Sequence, residues 1–114
     1  MDLLDRLCDI ARRRNRKIVL PEGDDPRAVA AATRLRDQHL ARPTLLGGIT
    51  ALRTIASGLK VSLDEIEVVD PGGDARLQKY AAALANARDS LTPAMATRLV
   101  SRPLYFGGMM VRQG

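Results

Sequence analysis

Three short apolar runs, separated by helix-length segments, constrain this 114-residue chain more than any other feature. Lys17-Ile18-Val19-Leu20, Thr44-Leu45-Leu46 and Ile66-Glu67-Val68-Val69 are aliphatic and rich in β-branched residues, and each stops at a turn: Pro21-Glu22-Gly23-Asp24-Asp25-Pro26, Gly47-Gly48 and Asp70-Pro71-Gly72-Gly73. Such a run reads as a buried strand. Strands joined through a helix-length crossover pair in parallel. The alternation therefore predicts a three-layer αβα fold, one α/β domain over residues 1–114, with a mostly parallel sheet whose strands fall near residues 17–20, 43–46 and 66–69. The chain is long enough for one core and too short for two. Three strands are few for this architecture, and Val111-Arg112-Gln113-Gly114 ends a helix where a further strand is expected, so the sheet reads as incomplete.

The intervening segments carry helix signals. Leu3, Leu4, Leu7, Ile10 and Ala11 form one stripe at helical spacing, followed by the basic run Arg12-Arg13-Arg14-Asn15-Arg16-Lys17, which complements a helix C-terminus. Asp25 can cap a second helix with Pro26 in its first turn, running to about Leu40 with Val29, Ala32 and Leu35 inward and Arg27, Arg34, Arg36 and Asp37 outward. A third helix is expected from about Ile49 to Ser57, closed by Gly58. Ser62 and Glu65 have the spacing of a capping box around a short turn. Helical sequence runs from Asp74 to about Ala87, Thr92-Pro93 starts another helix, and Pro103 starts a last one.

Composition narrows the core and the compartment. With no Trp, one Phe (Phe106) and two Tyr (Tyr80, Tyr105), the core must be aliphatic, which gives less buried area per residue and a modest stability. The single cysteine, Cys8, makes no internal disulfide and reads as a small buried hydrophobe in a reducing compartment; a reactive thiol is the sharper alternative. One histidine, His39, leaves no Cys/His set for zinc, so no metal site is expected. No segment approaches the ~20 apolar residues of a membrane span, and the cytoplasm is the default expectation. The net charge of +5, dominated by Arg, favours phosphate-bearing partners: nucleic acid or small anions. The basic run has no aromatic neighbours to stack bases, which speaks against nucleic acid.

Ligands of open parallel sheets bind beyond the carboxyl ends of the strands. The loop of Glu22, Asp24 and Asp25 could orient a substrate or hold a metal, or simply cap a helix and face solvent. Gly47-Gly48 lacks the spacing of a dinucleotide or P-loop motif and reads as a turn, as does Asp70-Pro71-Gly72-Gly73. Gly107-Gly108 inside a helix signals close packing or the approach of a ligand. Ser57, Ser62, Ser90 and Ser101 sit where caps or turns use them, and no nucleophile–base pair is present.

The same segments resemble the phosphate acetyltransferase and phosphate butyryltransferase family. Ile18-Val19-Leu20-Pro21-Glu22-Gly23-Asp24-Asp25-Pro26-Arg27 is similar to that family's first strand and its Pro-Glu-Gly-x-Asp-x-Arg turn. Leu40-Ala41-Arg42-Pro43-Thr44-Leu45-Leu46-Gly47 resembles the second strand and Val68-Val69-Asp70-Pro71 the third. Most specific is Arg102-Pro103-Leu104-Tyr105-Phe106-Gly107-Gly108-Met109-Met110-Val111, similar to the family's Pro-Leu-Tyr-Phe-Gly-x-Met-Met helix. The resemblance implies the N-terminal part of a two-domain enzyme that exchanges an acyl group between CoA and phosphate. It further implies CoA or acetyl-CoA as substrate, no permanently bound cofactor, an interdomain active site and a homodimer in the complete protein. The family's catalytic Ser, Arg and Asp belong to its later half, so no catalytic residue is expected in this segment and the fragment alone should be inactive. By position in Tyr80 to Arg88, the resemblance assigns Arg88 to binding the substrate's phosphate groups. The following Asp89-Ser90-Leu91 is shorter and more acidic than the family's basic stretch, and a solvated helix-end arginine is the plain alternative.

Two other functions compete: a CoA-ester-sensing regulatory domain of the kind fused behind malic enzyme, and a basic nucleic-acid-binding module. Met1 at the head of the first helix favours a free-standing start over a fused domain, and the confinement of the basic run to one helix end disfavours the third reading.

Overall fold

The computed structural model describes residues 2–114; Met1, placed above at the head of the first helix, lies outside them. The elements run α1 (Leu3–Arg14), β1 (Lys17–Leu20), α2 (Pro26–Asp37), β2 (Arg42–Leu46), α3 (Ile49–Leu59), β3 (Glu67–Val69), a 3-10 turn (Pro71–Gly73), α4 (Leu77–Ala87), α5 (Pro93–Val100) and α6 (Pro103–Gln113). The strands form one parallel sheet in the order β1-β2-β3, with Val19 opposite Thr44 and Leu45 opposite Val68. The α/β reading and the three parallel strands hold, within one residue at each end.

Alternate residues of β2 divide the core between the two faces of the sheet. Leu45 packs with Val29, Ala32, Leu52, Ala56 and Ile66 under α2 and α3. Leu46 packs with Val69, Tyr80, Leu84, Val100, Phe106 and Met109 under α4, α5 and α6. Phe106 is fully buried and meets Tyr80 edge-on at 5.0 Å between ring centroids. Two of the three aromatics thus sit at the centre of the second face, and Tyr105 is exposed.

Pro43 lies in the central strand, where a missing N–H normally costs a ladder bond. Here it does not. The Arg42 N–H donates to Arg16 in the direction of β1, so the next residue's nitrogen points toward the β3 side. There β3 pairs only from Thr44 onward.

Several local expectations need correction. Gly58 does not close α3; the helix runs through it to Leu59, and Lys60 takes the left-handed conformation, φ 57°, that ends it. Helix α2 ends at Asp37, with His39 in the turn at φ 56°. Helix α4 begins at Leu77, because Asp74 spends its carboxylate on the backbone N–H and guanidinium of Arg76. Ser62 and Glu65 form no capping box: the Ser62 hydroxyl accepts from the Asp64 N–H, and Glu65 is a left-handed turn residue. Arg36 is not solvated. Its side chain is 16% exposed and donates to the carbonyls of Ser62 and Asp64 at 2.6 and 2.8 Å, tying α2 to the chain entering β3. Cys8 is half-buried rather than buried, on a helix none of whose residues is buried.

Candidate functional site

Helices α2 and α3 cover one face of the sheet and α4 to α6 the other, and the strands lie in the order β1-β2-β3. Open α/β sheets bind ligands beyond the carboxyl ends of their strands. The carboxyl end of β1 carries three carboxylates, the most of the three strand ends here.

That end is the loop from Pro21 to Asp25, and it is tightly laced to its neighbour. The Gly23 N–H donates to the Leu46 carbonyl at 3.0 Å, and the Gly47 N–H to the Val69 carbonyl at 2.9 Å. A Cβ on Gly23 would collide with the Leu46 carbonyl oxygen. Glycine is required there by close backbone approach. On the opposite face of the sheet Gly107 lies against Val19, Leu46 and Pro21, where a Cβ would come within 3.2 Å of the first two. Gly108 faces open space. Of the two glycines, close packing accounts for Gly107 alone.

The acidic residues of the loop are not equivalent. Asp25 caps α2, accepting from the Arg27 N–H at 2.9 Å, and pairs with the Arg27 guanidinium at 2.8 Å. The hydrogen bond from the Arg27 side chain holds the Asp25 carboxyl below its ordinary range, and the same contact raises Arg27. Arg27 remains 91% exposed, a fork held at one side by a carboxylate and open on the other. Glu22 and Asp24 are exposed, and neither side chain takes part in an ion pair among the described residues. No group of three or more His, Cys, Asp or Glu side chains among the described residues is placed to hold a metal ion. Gly48 caps α3 without a side chain, and Asp70 accepts from the Gly72 N–H, so these two turns act as turns.

Arg88 lies elsewhere. It is the exposed residue that ends α4, its N–H bonded to the Ala85 carbonyl. Eleven helical residues separate it from the Asp70–Gly73 side of the chain, about 16 Å at 1.5 Å per residue. Arg88 and the Asp70–Gly73 turn thus stand at opposite ends of α4. Arg27, read in the sequence as an outward residue of a helix and as the last residue of the Pro-Glu-Gly-x-Asp-x-Arg turn, is the exposed cation beside the carboxyl end of β1, two residues after the cap of α2. A surface hollow of about 510 Å³ runs between α3 and β3, lined by Ile49, Arg53, Ser57, Val61, Leu63 and Ile66, and touches none of these groups. No helix among the described residues is long and apolar enough to cross a membrane.

Comparison with known proteins agrees with the fold. The chain is 33% identical to the phosphate acetyltransferase of Thermoanaerobacterium thermosaccharolyticum over 116 aligned residues, covering all of this chain and 35% of that protein. It is 35% identical to the phosphate acetyltransferase of Staphylococcus epidermidis, again covering 35% of the relative. Among solved structures, the EutD phosphotransacetylase from Staphylococcus aureus superposes with a TM-score of 0.90 at 28% identity, and a phosphotransacetylase from Streptococcus pyogenes with 0.86 at 30%. Both cover the whole of this chain and 36% of the other. The chain thus spans about a third of the length of these relatives. The family model for phosphate acetyl/butaryl transferase matches residues 2–114, and the chain belongs to that family as a segment of its fold.

Proposed function

We propose that this chain is the amino-terminal part of an enzyme that moves an acyl group, acetyl or butyryl, between CoA and inorganic phosphate, and that the 114 residues alone do not catalyse. The observation that carries the reading is the family match over residues 2–114, set against coverage of only 35% of the relatives' length. The chemistry on the page fits a supporting role. The loop after β1 offers an exposed guanidinium, but no nucleophile paired with a base. Positioning and electrostatics from groups outside this third must then supply most of the rate. The complete protein is proposed to be a cytoplasmic homodimer that binds CoA esters and phosphate as substrates, with no permanently bound cofactor.

Two arginines are proposed to meet phosphate groups of the substrate: Arg88, on the resemblance, and Arg27, on its exposed place beside the carboxyl end of β1. A guanidinium binds phosphate as a two-pronged donor, a geometry that lysine cannot reproduce. The test is an assay of acetyl transfer between CoA and phosphate. The isolated chain should show none, and clear turnover free of full-length enzyme would sink the proposal. In a chain completed with the remaining two-thirds of a Staphylococcus relative, Ala at either position should lower kcat/KM about ten- to a hundredfold, with Lys restoring part. Unchanged efficiency in both Arg88 variants would return Arg88 to the solvated surface.

A further inference from the structure

The hollow between α3 and β3 has no part in the acyl-transfer reading. Its floor is an open flank of the core under α2 and α3. Ala56 and Ile66 belong to that cluster, and Val61, Leu63 and Val68 pack against it half-buried. The flank is open because β3 is bonded to β2 alone, so no strand covers its outer side. The segment that walls the hollow is nonetheless fixed. The Val61 N–H donates to the Ala56 carbonyl at 3.0 Å, and the Ile66 N–H to that of Leu63 at 3.1 Å. Arg36 holds the carbonyls of Ser62 and Asp64 from α2. At about 510 Å³ the space falls in the range of small-molecule sites.

The polar groups gather on the helix side. Arg53 and Ser57, four residues apart on α3, share one side of the helix, and both line the hollow. Arg12, Arg36 and Arg42 spend their side chains on main-chain carbonyls. Arg53 is exposed instead, and it makes no ion pair among the described residues. Asp64 is the one carboxylate of the lining, and the two are not paired. An unpaired guanidinium and a hydroxyl beside an aliphatic floor match a carboxylate head that carries an aliphatic tail.

We infer that this hollow binds an aliphatic carboxylate of roughly four to eight carbons, its head on Arg53 and Ser57 and its tail over Ala56, Val61, Leu63 and Ile66. Three observations select this class. No aromatic residue is among those lining the hollow, so a nucleobase or other planar ring finds no stacking partner. Arg53 is the one cation of the lining, and Asp64 would repel the second charge of a phosphate dianion. The floor is aliphatic, so it rewards each methylene of a tail and offers a sugar nothing to pair with. The inference goes beyond the acyl-transfer reading and does not rest on it, and its test reads binding rather than turnover.

The test follows backbone amide NMR signals while butyrate, hexanoate and octanoate are titrated into the 114-residue chain and into the chain completed with the remainder of a Staphylococcus relative. Shifts should fall on α3, on residues 61–66 and on β3, with a Kd on the order of a millimolar for octanoate. Affinity should rise about two- to fourfold with each added methylene. Arg53→Gln should weaken octanoate binding about tenfold, and Arg53→Lys should recover part of the loss. Asp64→Asn should tighten it about twofold or more, because it removes a repelling charge. Octylamine, with the same tail and the opposite charge, should bind about tenfold more weakly than octanoate. Absence of binding in both proteins would overturn the inference, as would octylamine binding as well as octanoate or an Arg53→Gln variant with unchanged affinity. Shifts centred on Leu3, Leu4, Leu7 and Ile10 would also overturn it and place the acid on α1. Inorganic phosphate binding at Arg53 more tightly than octanoate would overturn the ligand class.

Discussion

Gly107 and Gly108 stand side by side in α6 and do opposite things. Alanine at 107 must push Leu46 Cδ1 and Val19 Cγ1 by a few tenths of an ångström in a packed core, so Gly107→Ala should destabilise by about 1–3 kcal/mol. Alanine at 108 meets nothing within 4 Å and gains helix propensity, so Gly108→Ala should stabilise by about 0.5–1 kcal/mol. Denaturant melts of the two variants check both signs; equal effects would show that the crossing of α6 over β1 is looser than described. Charge at single residues also makes a prediction. The Arg76 side chain, by hydrogen bonding, holds the Asp74 carboxyl below its ordinary value of 3.8 and is itself raised by the contact. A carboxyl depressed in the folded state contributes stability that is fully present above its unfolded value and is lost as pH falls through the lower folded one. Stability should therefore decline below about pH 4, and Asp74→Asn should flatten that decline. An identical acid profile in the variant would remove Asp74 from the account.

Helix ends carry the next scale. Lys60 ends α3 in the left-handed region, where a β-carbon is strained by roughly 1–2 kcal/mol, and glycine is not. Lys60→Gly should raise the melting temperature by several degrees, about 4–8 °C per kcal/mol in a domain of this size. No rise would mean that the loop to β3 sets the conformation of Lys60 at no cost. Caps that use side chains were legible: Asp25 before Pro26 and Thr92 before Pro93 both accept a backbone N–H, as their chemistry requires. The end of α3 was not. Gly58 offered a stop signal in the sequence, but α3 runs two residues beyond Ser57, to Leu59, with Ala56 buried against Leu52 and Ile66 and the Val61 N–H bonded to the Ala56 carbonyl.

For the molecule as a whole, the arginine excess resolves into two uses. Arg12, Arg36 and Arg42 spend their side chains on main-chain carbonyls at helix ends and loops, which stitches α1, α2 and the entry to β3 together. Arg27 and Arg88 stay exposed. The positive balance is thus partly architectural, and counting it as a measure of anion affinity overstates the case.

What the sequence by itself determined is whatever depends on neighbours along the chain. The aliphatic runs at Ile18–Leu20, Thr44–Leu46 and Glu67–Val69 specify strands, because a short buried run bounded by turn residues has little alternative. The Pro-Leu-Tyr-Phe-Gly stretch marked α6, and the order of these segments carried the family. Tertiary structure alone decided which face each helix covers, because strand residues alternate while local sequence names no partner. It decided that Gly107 packs and Gly108 does not, that Arg36 is turned inward, and that the stripe of α1 finds no cover among the described residues. Each of these depends on contacts between residues distant in sequence, and periodicity says that a face is apolar without saying what will bury it.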